Sequence, residues 1–191
     1  MVNVSVEQIR TNALVAKTIH RKRLKKARLF SNILSAFMIL VPVVFLAAQY
    51  WAKGTTGEQI VNGTAAVGSV LLLCLSVMAL ILRIETKVLD HSVGIRTNIY
   101  VASEAHKLMN ETDEVKLGWF YTYVSEMDVM DASSLADAKP AEKRDAYREA
   151  LMELRPGDNS AVCPICKASP FRYTKGDCQF CGNTPIREDI E

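Results

Sequence analysis

Charge is missing from two long stretches of this 191-residue chain: neither residues 29–52 nor residues 59–82 contain an Asp, Glu, Lys or Arg. That absence excludes the surface helices of an ordinary soluble protein, which carry a charged face. Each stretch exceeds the roughly 20 apolar residues needed to cross the hydrocarbon core of a bilayer, so the sequence predicts a membrane-spanning helix at each. Two fully buried helices of a soluble bundle are the competing reading. A cleaved signal peptide fits the first stretch poorly. The segment before it is long and amphipathic, the apolar run outlasts the usual core of roughly 7–15 residues, and no A-x-A-like site follows.

Catalytic signatures are missing as well. There is no glycine loop for phosphates and no GxSxG, and His20, His91 and His106 fall on separate helical positions. The acidic residues are scattered without an evident pair, so no enzyme is expected. The spans carry no ionisable side chain, which counts against an ion-coupled transporter. Cysteine is nearly confined to the C-terminal end, the exception being Cys74 inside the second apolar stretch. It reads there as a small packing residue.

What charge there is lies asymmetrically. The formal net charge of +2 divides into +7 over residues 1–58 and −5 over residues 83–191. Arg21, Lys22, Arg23, Lys25, Lys26 and Arg28 stand directly before the first apolar stretch, whereas the connection 53–58 offers only Lys53. By the positive-inside rule the N-terminus is expected in the cytoplasm, and two spans return the C-terminus to the same side. This predicts a multi-pass protein of the inner, cytoplasmic membrane.

Local patterning fills in the rest. Ser5 three residues before Gln8 fits a capping box. Val6, Ile9, Ala13, Ala16, His20, Leu24 and Ala27 then recur at spacings of three and four, an apolar stripe on a basic helix over residues 1–28. Nothing breaks this helix before Pro42, which removes a backbone donor from the middle of the first span. The glycine-bearing connection 53–58 makes the spans 29–52 and 59–82 an antiparallel hairpin, with Gly68 and Ser69 among small residues that permit close helix approach.

No Pro or Gly run follows the second span, so its helix is expected to continue past Arg83. There Ile95, Ile99, Ala102, His106 and Met109 form a second stripe, suited to pair with the first. Residues 110–114 read as a break and N-cap before an aromatic-rich helix to about Met130. Its Phe120, Val124 and Met127, with Trp119, Tyr121 and Tyr123, are expected to bury against the preceding helix. A last helix starts at Pro140 and stops at Arg155-Pro156-Gly157-Asp158. The expected fold class is therefore mainly α: a two-helix transmembrane hairpin, cytosolic helices over 83–155, and a small zinc ribbon over 156–191.

Four cysteines carry the sharpest chemical signal. Cys163 and Cys166 form one C-x2-C pair and Cys178 and Cys181 another, eleven residues apart. Each pair places two thiolates on one turn, and two such turns supply the tetrahedral sulfur set that Zn²⁺ prefers. With all four positions taken by protein, the metal is expected to be structural. A disulfide framework is disfavoured in a reducing cytoplasm, while an iron–sulfur site remains open. Phe171–Thr174 and Lys175-Gly176-Asp177 read as a strand and a tight turn within the ribbon. Arg172 and Lys175 offer phosphate contacts, but Asp177, Glu188, Asp189 and Glu191 surround them, so no strong nucleic-acid surface is expected.

A basic amphipathic helix, two closely spaced spans, and a following helix from His91 through Met109 resemble the SLATT family, two-transmembrane proteins of prokaryotic nucleotide-signalling and mobile-element conflict systems. The likeness covers about residues 5–130, including Ala27-Arg28 before the first span. The C-x2-C-x11-C-x2-C tail is similar to a zinc-ribbon variant among mobile-element proteins. The resemblance implies a defence effector that assembles as a homo-oligomer in the inner membrane and, on a signal from a sensor protein or nucleotide-signalling partner, opens a pore or breaches the bilayer. A membrane-anchored zinc-ribbon adaptor without pore activity is the second reading.

Overall fold

The structure is a computed structural model and describes residues 5–158 and 160–186. It is mainly helical: α1 (Val6–Ala52), α2 (Glu58–Ile81), α3 (Ile84–Lys107), α4 (Glu114–Leu135) and α5 (Pro140–Leu154) follow in order. The chain divides into two compact units. One takes the chain up to Arg23 together with the chain from Asp90 onward, and the other is Leu24–Leu89.

The unit Leu24–Leu89 holds both uncharged stretches. α1 begins where Ser5 Oγ accepts the Gln8 amide at 3.2 Å and runs unbroken through Pro42. Lacking an N–H, Pro42 leaves the Met38 carbonyl without its helical donor. The connection between α1 and α2 is short because its polar groups close on themselves: Gly54 takes φ +78°, its amide donates to Glu58 Oε2 at 2.8 Å, and Thr55 Oγ1 donates to the Ala52 carbonyl at 2.7 Å. The two helices therefore turn back on one another. They come close at Gly68, where an added Cβ would stand 2.2 Å from the Phe45 ring, and Ala65 one turn earlier is buried. The expected small-residue contact is thus made by Gly68 and Ala65. Cys74, expected to pack, is exposed on the outer surface of α2. Leu29, Ile39 and Leu46 on α1 and Leu73 and Leu80 on α2 are each more than 60% exposed.

The helix of the second span does not continue past Arg83. α2 ends at Ile81, Arg83 adopts φ +48°, and α3 starts afresh at Ile84. The Leu82 and Arg83 amides still bond back to Met78 and Leu80, at 2.9 and 3.2 Å, so the last turn of α2 tightens around a residue in the left-handed region. No Pro or Gly announces this break, and a non-glycine residue there carries a conformational cost.

In the other unit, the first turns of α1 pack with α3, α4 and α5 around Phe120, which is fully buried among Ile9, Ala13, Leu14, Val101, Ala102, Ala105, Val124 and Ala150. The α1 stripe is met closely in this unit, since Ile9, Ala13 and His20 are all buried. The α3 stripe is not. Its buried face is Gly94, Asn98, Val101, Ala102 and Ala105, whereas Ile99 is 50% exposed and His106 and Met109 are on the surface. A polar partner turned the helix: Asn98 Nδ2 donates to Asp131 Oδ2 at 2.6 Å, so burying Asn98 satisfies two polar groups at once.

α4 is N-capped by Asp113, whose Oδ1 accepts the Val115 amide at 2.9 Å, and it extends beyond Met130 to Leu135. Its aromatic residues split. Phe120 enters the core, while Trp119 stacks on Tyr123 and Tyr123 packs edge-on against Tyr100 along the surface. Basic α1 meets acidic segments at Lys17–Glu153, Lys22–Glu149 and Arg23–Glu142, with Arg23 also 2.6 Å from Asp137. The hydrogen bond to Glu142 raises the already high pKa of Arg23 further, against the effect of its burial.

Candidate metal centre

After α5, the turn Arg155–Gly157 leads into two loops of the same design. In the first, the Lys167 amide donates to the Cys163 carbonyl at 2.9 Å; in the second, the Gly182 amide donates to the Cys178 carbonyl at 2.9 Å. The residue after each second cysteine swings into the left-handed region, Lys167 at φ +58° and Gly182 at φ +70°. Such a turn points both thiols of its pair to one side. Glycine takes that conformation freely at 182, whereas Lys167 takes it at a cost.

All four predicted ligands converge. Cys163, Cys166, Cys178 and Cys181 are buried, their sulfur atoms lie within 4.8 Å of one another, and the Cys166 and Cys181 sulfurs are 3.4 Å apart. Four sulfurs bound to one tetrahedral zinc ion at about 2.3 Å would stand about 3.8 Å apart, so the cluster has the dimensions of an S4 metal site. Its electrostatics point the same way. Burial pushes the Cys166 and Cys181 thiols up. Burial also raises Cys178, but amide donors at Cys181 and Phe180 and the facing thiols outweigh it and bring Cys178 down to about 7. Four sulfurs this close cannot all be thiolates without a cation among them.

A floor from α5 and one asparagine hold the loops. Tyr147 and Leu151 pack on the cysteines, Tyr147 also meets Phe180 edge-on, and Arg148 Nη1 donates to the Cys181 carbonyl at 3.1 Å. The Arg148 guanidinium lies 3.8 Å from the Tyr173 ring centre. Burial, then the four sulfurs, push the Tyr147 hydroxyl up to about 12. The strand expected over 171–174 is not formed; among the described residues the one bridge lies just after it, antiparallel between Lys175 and Asn183. Asn183 reinforces the backbone bonds that cross the loop, from the Thr184 amide to the Thr174 carbonyl at 2.8 Å and from the Gly176 amide to the Gly182 carbonyl at 2.9 Å. Its Oδ1 accepts the Thr174 amide at 2.7 Å, and its Nδ2 donates to the Ser169 and Arg172 carbonyls at 3.0 and 3.3 Å. Gly176 permits this closure, since a Cβ there would stand 2.4 Å from Thr184 Cα.

Asn183 was not legible as a structural residue, although its place two after Cys181 is the available signal. Of the acidic residues expected around Arg172 and Lys175, Glu188, Asp189 and Glu191 lie outside the described residues.

Residues 3–184 match the model of the mobilome CxxCx(11)CxxC protein family, and the chain belongs to that family. No curated protein and no solved structure matches it.

Proposed function

We propose that this member of the mobilome CxxCx(11)CxxC family is an inner-membrane effector of a prokaryotic defence or mobile-element conflict system. In this reading it assembles as a homo-oligomer and permeabilises the bilayer when triggered. The observation that carries the membrane placement is the apolar surface of α1 and α2. Both helices are long and apolar enough to cross a membrane, and the most apolar stretch of α1 has no buried residue and that of α2 only 6%. A core helix of a soluble protein would show the reverse. So much exposed apolar surface calls for lipid or for further copies of the hairpin.

The finer reading rests on the resemblance to SLATT proteins and on physical economy. A single hairpin encloses no path, so permeation requires several copies, with Ser31, Asn32, Ser35, Asn62, Ser69 and Ser76 available to line it. Both termini lie in the cytoplasm in this proposal, where a reducing environment keeps four thiols free for zinc. The zinc ion would be held by Cys163, Cys166, Cys178 and Cys181 and would supply cross-linking of the two loops, with no open coordination position for chemistry. We read the protein as non-catalytic, triggered by a sensor or nucleotide-signalling partner, and without a strong nucleic-acid surface.

Induced expression followed by a membrane-potential dye and carbonate extraction tests this. Depolarisation that tracks expression or phage challenge, with the chain retained in the carbonate-resistant membrane, is expected. A membrane-retained chain that never depolarises cells would remove the pore and leave a membrane-anchored zinc-ribbon adaptor, the second reading, which the compact packing of the ribbon on α5 favours.

A further inference from the structure

We propose that the hairpin unit carries a collar of basic side chains that binds anionic phospholipid headgroups, an inference that rests on the membrane placement above. On α1, Lys17, Arg21, Lys22 and Arg23 are taken up by the carboxylates of Glu153, Glu149, Glu142 and Asp137. Lys25, Lys26 and Arg28, one turn later, are exposed and have no carboxylate partner among the described residues. Counting back from Phe45 to Arg28, and forward from Gly68 by the same number of residues, reaches Glu85, between Arg83 and Lys87, which are also exposed and have no carboxylate partner among the described residues. Five cations and one carboxylate thus gather at one end of the hairpin, where the uncharged stretches begin and end. The opposite end offers Lys53 against Glu58. Phosphate diesters of anionic lipids match this level and charge, and each lysine or arginine contributes about fivefold in affinity near a membrane surface.

The test uses the full chain, purified in detergent and offered phosphatidylglycerol or phosphatidylcholine, with retained lipid read by native mass spectrometry. At least tenfold preference for phosphatidylglycerol is expected, weakening with salt and lost when Lys25, Lys26, Arg28, Arg83 and Lys87 are all replaced by Gln. Equal retention of the two lipids, or an unchanged preference in the variant, overturns the collar while carbonate-resistant insertion leaves the membrane placement standing. A chain stripped from membranes by carbonate overturns both.

A second observation stands apart from the membrane. We infer that Asp131, His20 and His91 form a proton-sensitive tie joining α1, α3 and α4. The His20 side chain is almost wholly buried, its Nε2 lies 3.1 Å from Asp131 Oδ1, and its Nδ1 lies 3.0 Å from His91 Nδ1. Gly94 makes room for the ring, since a Cβ there would stand 2.6 Å from it. Asn98 orients Asp131, so the carboxylate accepts the His20 Nε2–H, leaving His20 Nδ1 to accept from His91 Nδ1–H. Only one proton fits between the two Nδ1 atoms. With that proton on His91 Nδ1, acid adds the next one at His91 Nε2, on a half-buried ring beside Arg23, where the folded unit disfavours the charge.

The surrounding charges are Arg23 on α1, Asp90 on α3, Asp128 and Asp131 on α4, Asp137 after it, and Glu142 on α5, bonded to Arg23. Burial, then His20 and Arg23, hold the His91 pKa below its ordinary 6.5, against the opposing pull of Asp90 and Asp137. The folded form therefore takes up this proton less readily than the unfolded chain. The stability it contributes is present above pH 6.5 and is lost as pH falls below it.

Hydrogen exchange on the full chain in detergent, corrected for chemical exchange, is expected to show residues 13–23 and 91–102 opening up to about tenfold more per pH unit below 6.5. His91→Gln should flatten that dependence. Imidazole NMR of the unaltered protein gives an independent reading, with His91 titrating below 6.5. An identical acid response in His91→Gln, a His91 titration at or above 6.5, or a second equivalent of bound zinc lost in His91→Gln overturns the tie.

Discussion

The two units of this chain are held together by opposite means. In Leu24–Leu89 the self-contacts are few, with Ala65 the one residue of α2 that is buried among those described. Almost all of the apolar surface faces outward. In the other unit, a small apolar core around Phe120 is ringed by polar ties: ion pairs from Lys17, Lys22 and Arg23, the Asp131–His20–His91 chain, and the cysteine loops. The comparison teaches that length and the absence of charge specify the hairpin, whose surroundings must complete it, whereas specific pairs of polar residues specify the helical unit.

The largest expected effect separates the units most cleanly. Replacing Cys163 and Cys166 by Ser should abolish stoichiometric zinc and make residues 160–186 sensitive to limited proteolysis, because structural zinc supplies about 10–16 kcal/mol in small zinc domains. The hairpin should stay membrane-retained, and zinc kept by the purified double variant would contradict the site. Next, Phe120→Ala should cost about 3–5 kcal/mol in the stability of the helical unit, measured by denaturation of the full chain in mild detergent. An unchanged midpoint would break the claim that this unit depends on its core.

The smallest effect tests the hairpin. Gly68→Ile forces a side chain against Phe45 and should cost about 1–3 kcal/mol in helix association, read by cross-linking between the two helices. Gly63→Ile, which meets nothing within 4 Å, should be silent in the same assay. Equal losses would show that helix propensity, and not the close contact, is being measured.

Legibility followed the same division. Residues 29–52 and 59–82 declared themselves by what they lack, and the four clustered cysteines by a spacing that depends only on local turns. The α1 stripe was legible too, because its buried positions are mostly apolar. What escaped the sequence were features in which a polar pair overrides apolar periodicity. Burial of Asn98 against Asp131 rotates α3 away from its isoleucine stripe, and His20 and His91, distant in sequence, meet only through the packing of α1 on α3. Arg83 breaks a helix with no breaker residue, since only its backbone angle records the turn.

Asn183 gives the eleven-residue interval between the cysteine pairs a meaning as a ruler. Its single amide grips the backbone at Ser169, Arg172 and Thr174, and the neighbouring Thr184 and Gly176 amides bond to the Thr174 and Gly182 carbonyls, so side chain and backbone together pin the register of the loop. In this chain the eleven residues between the pairs are the span across which that one side chain reaches.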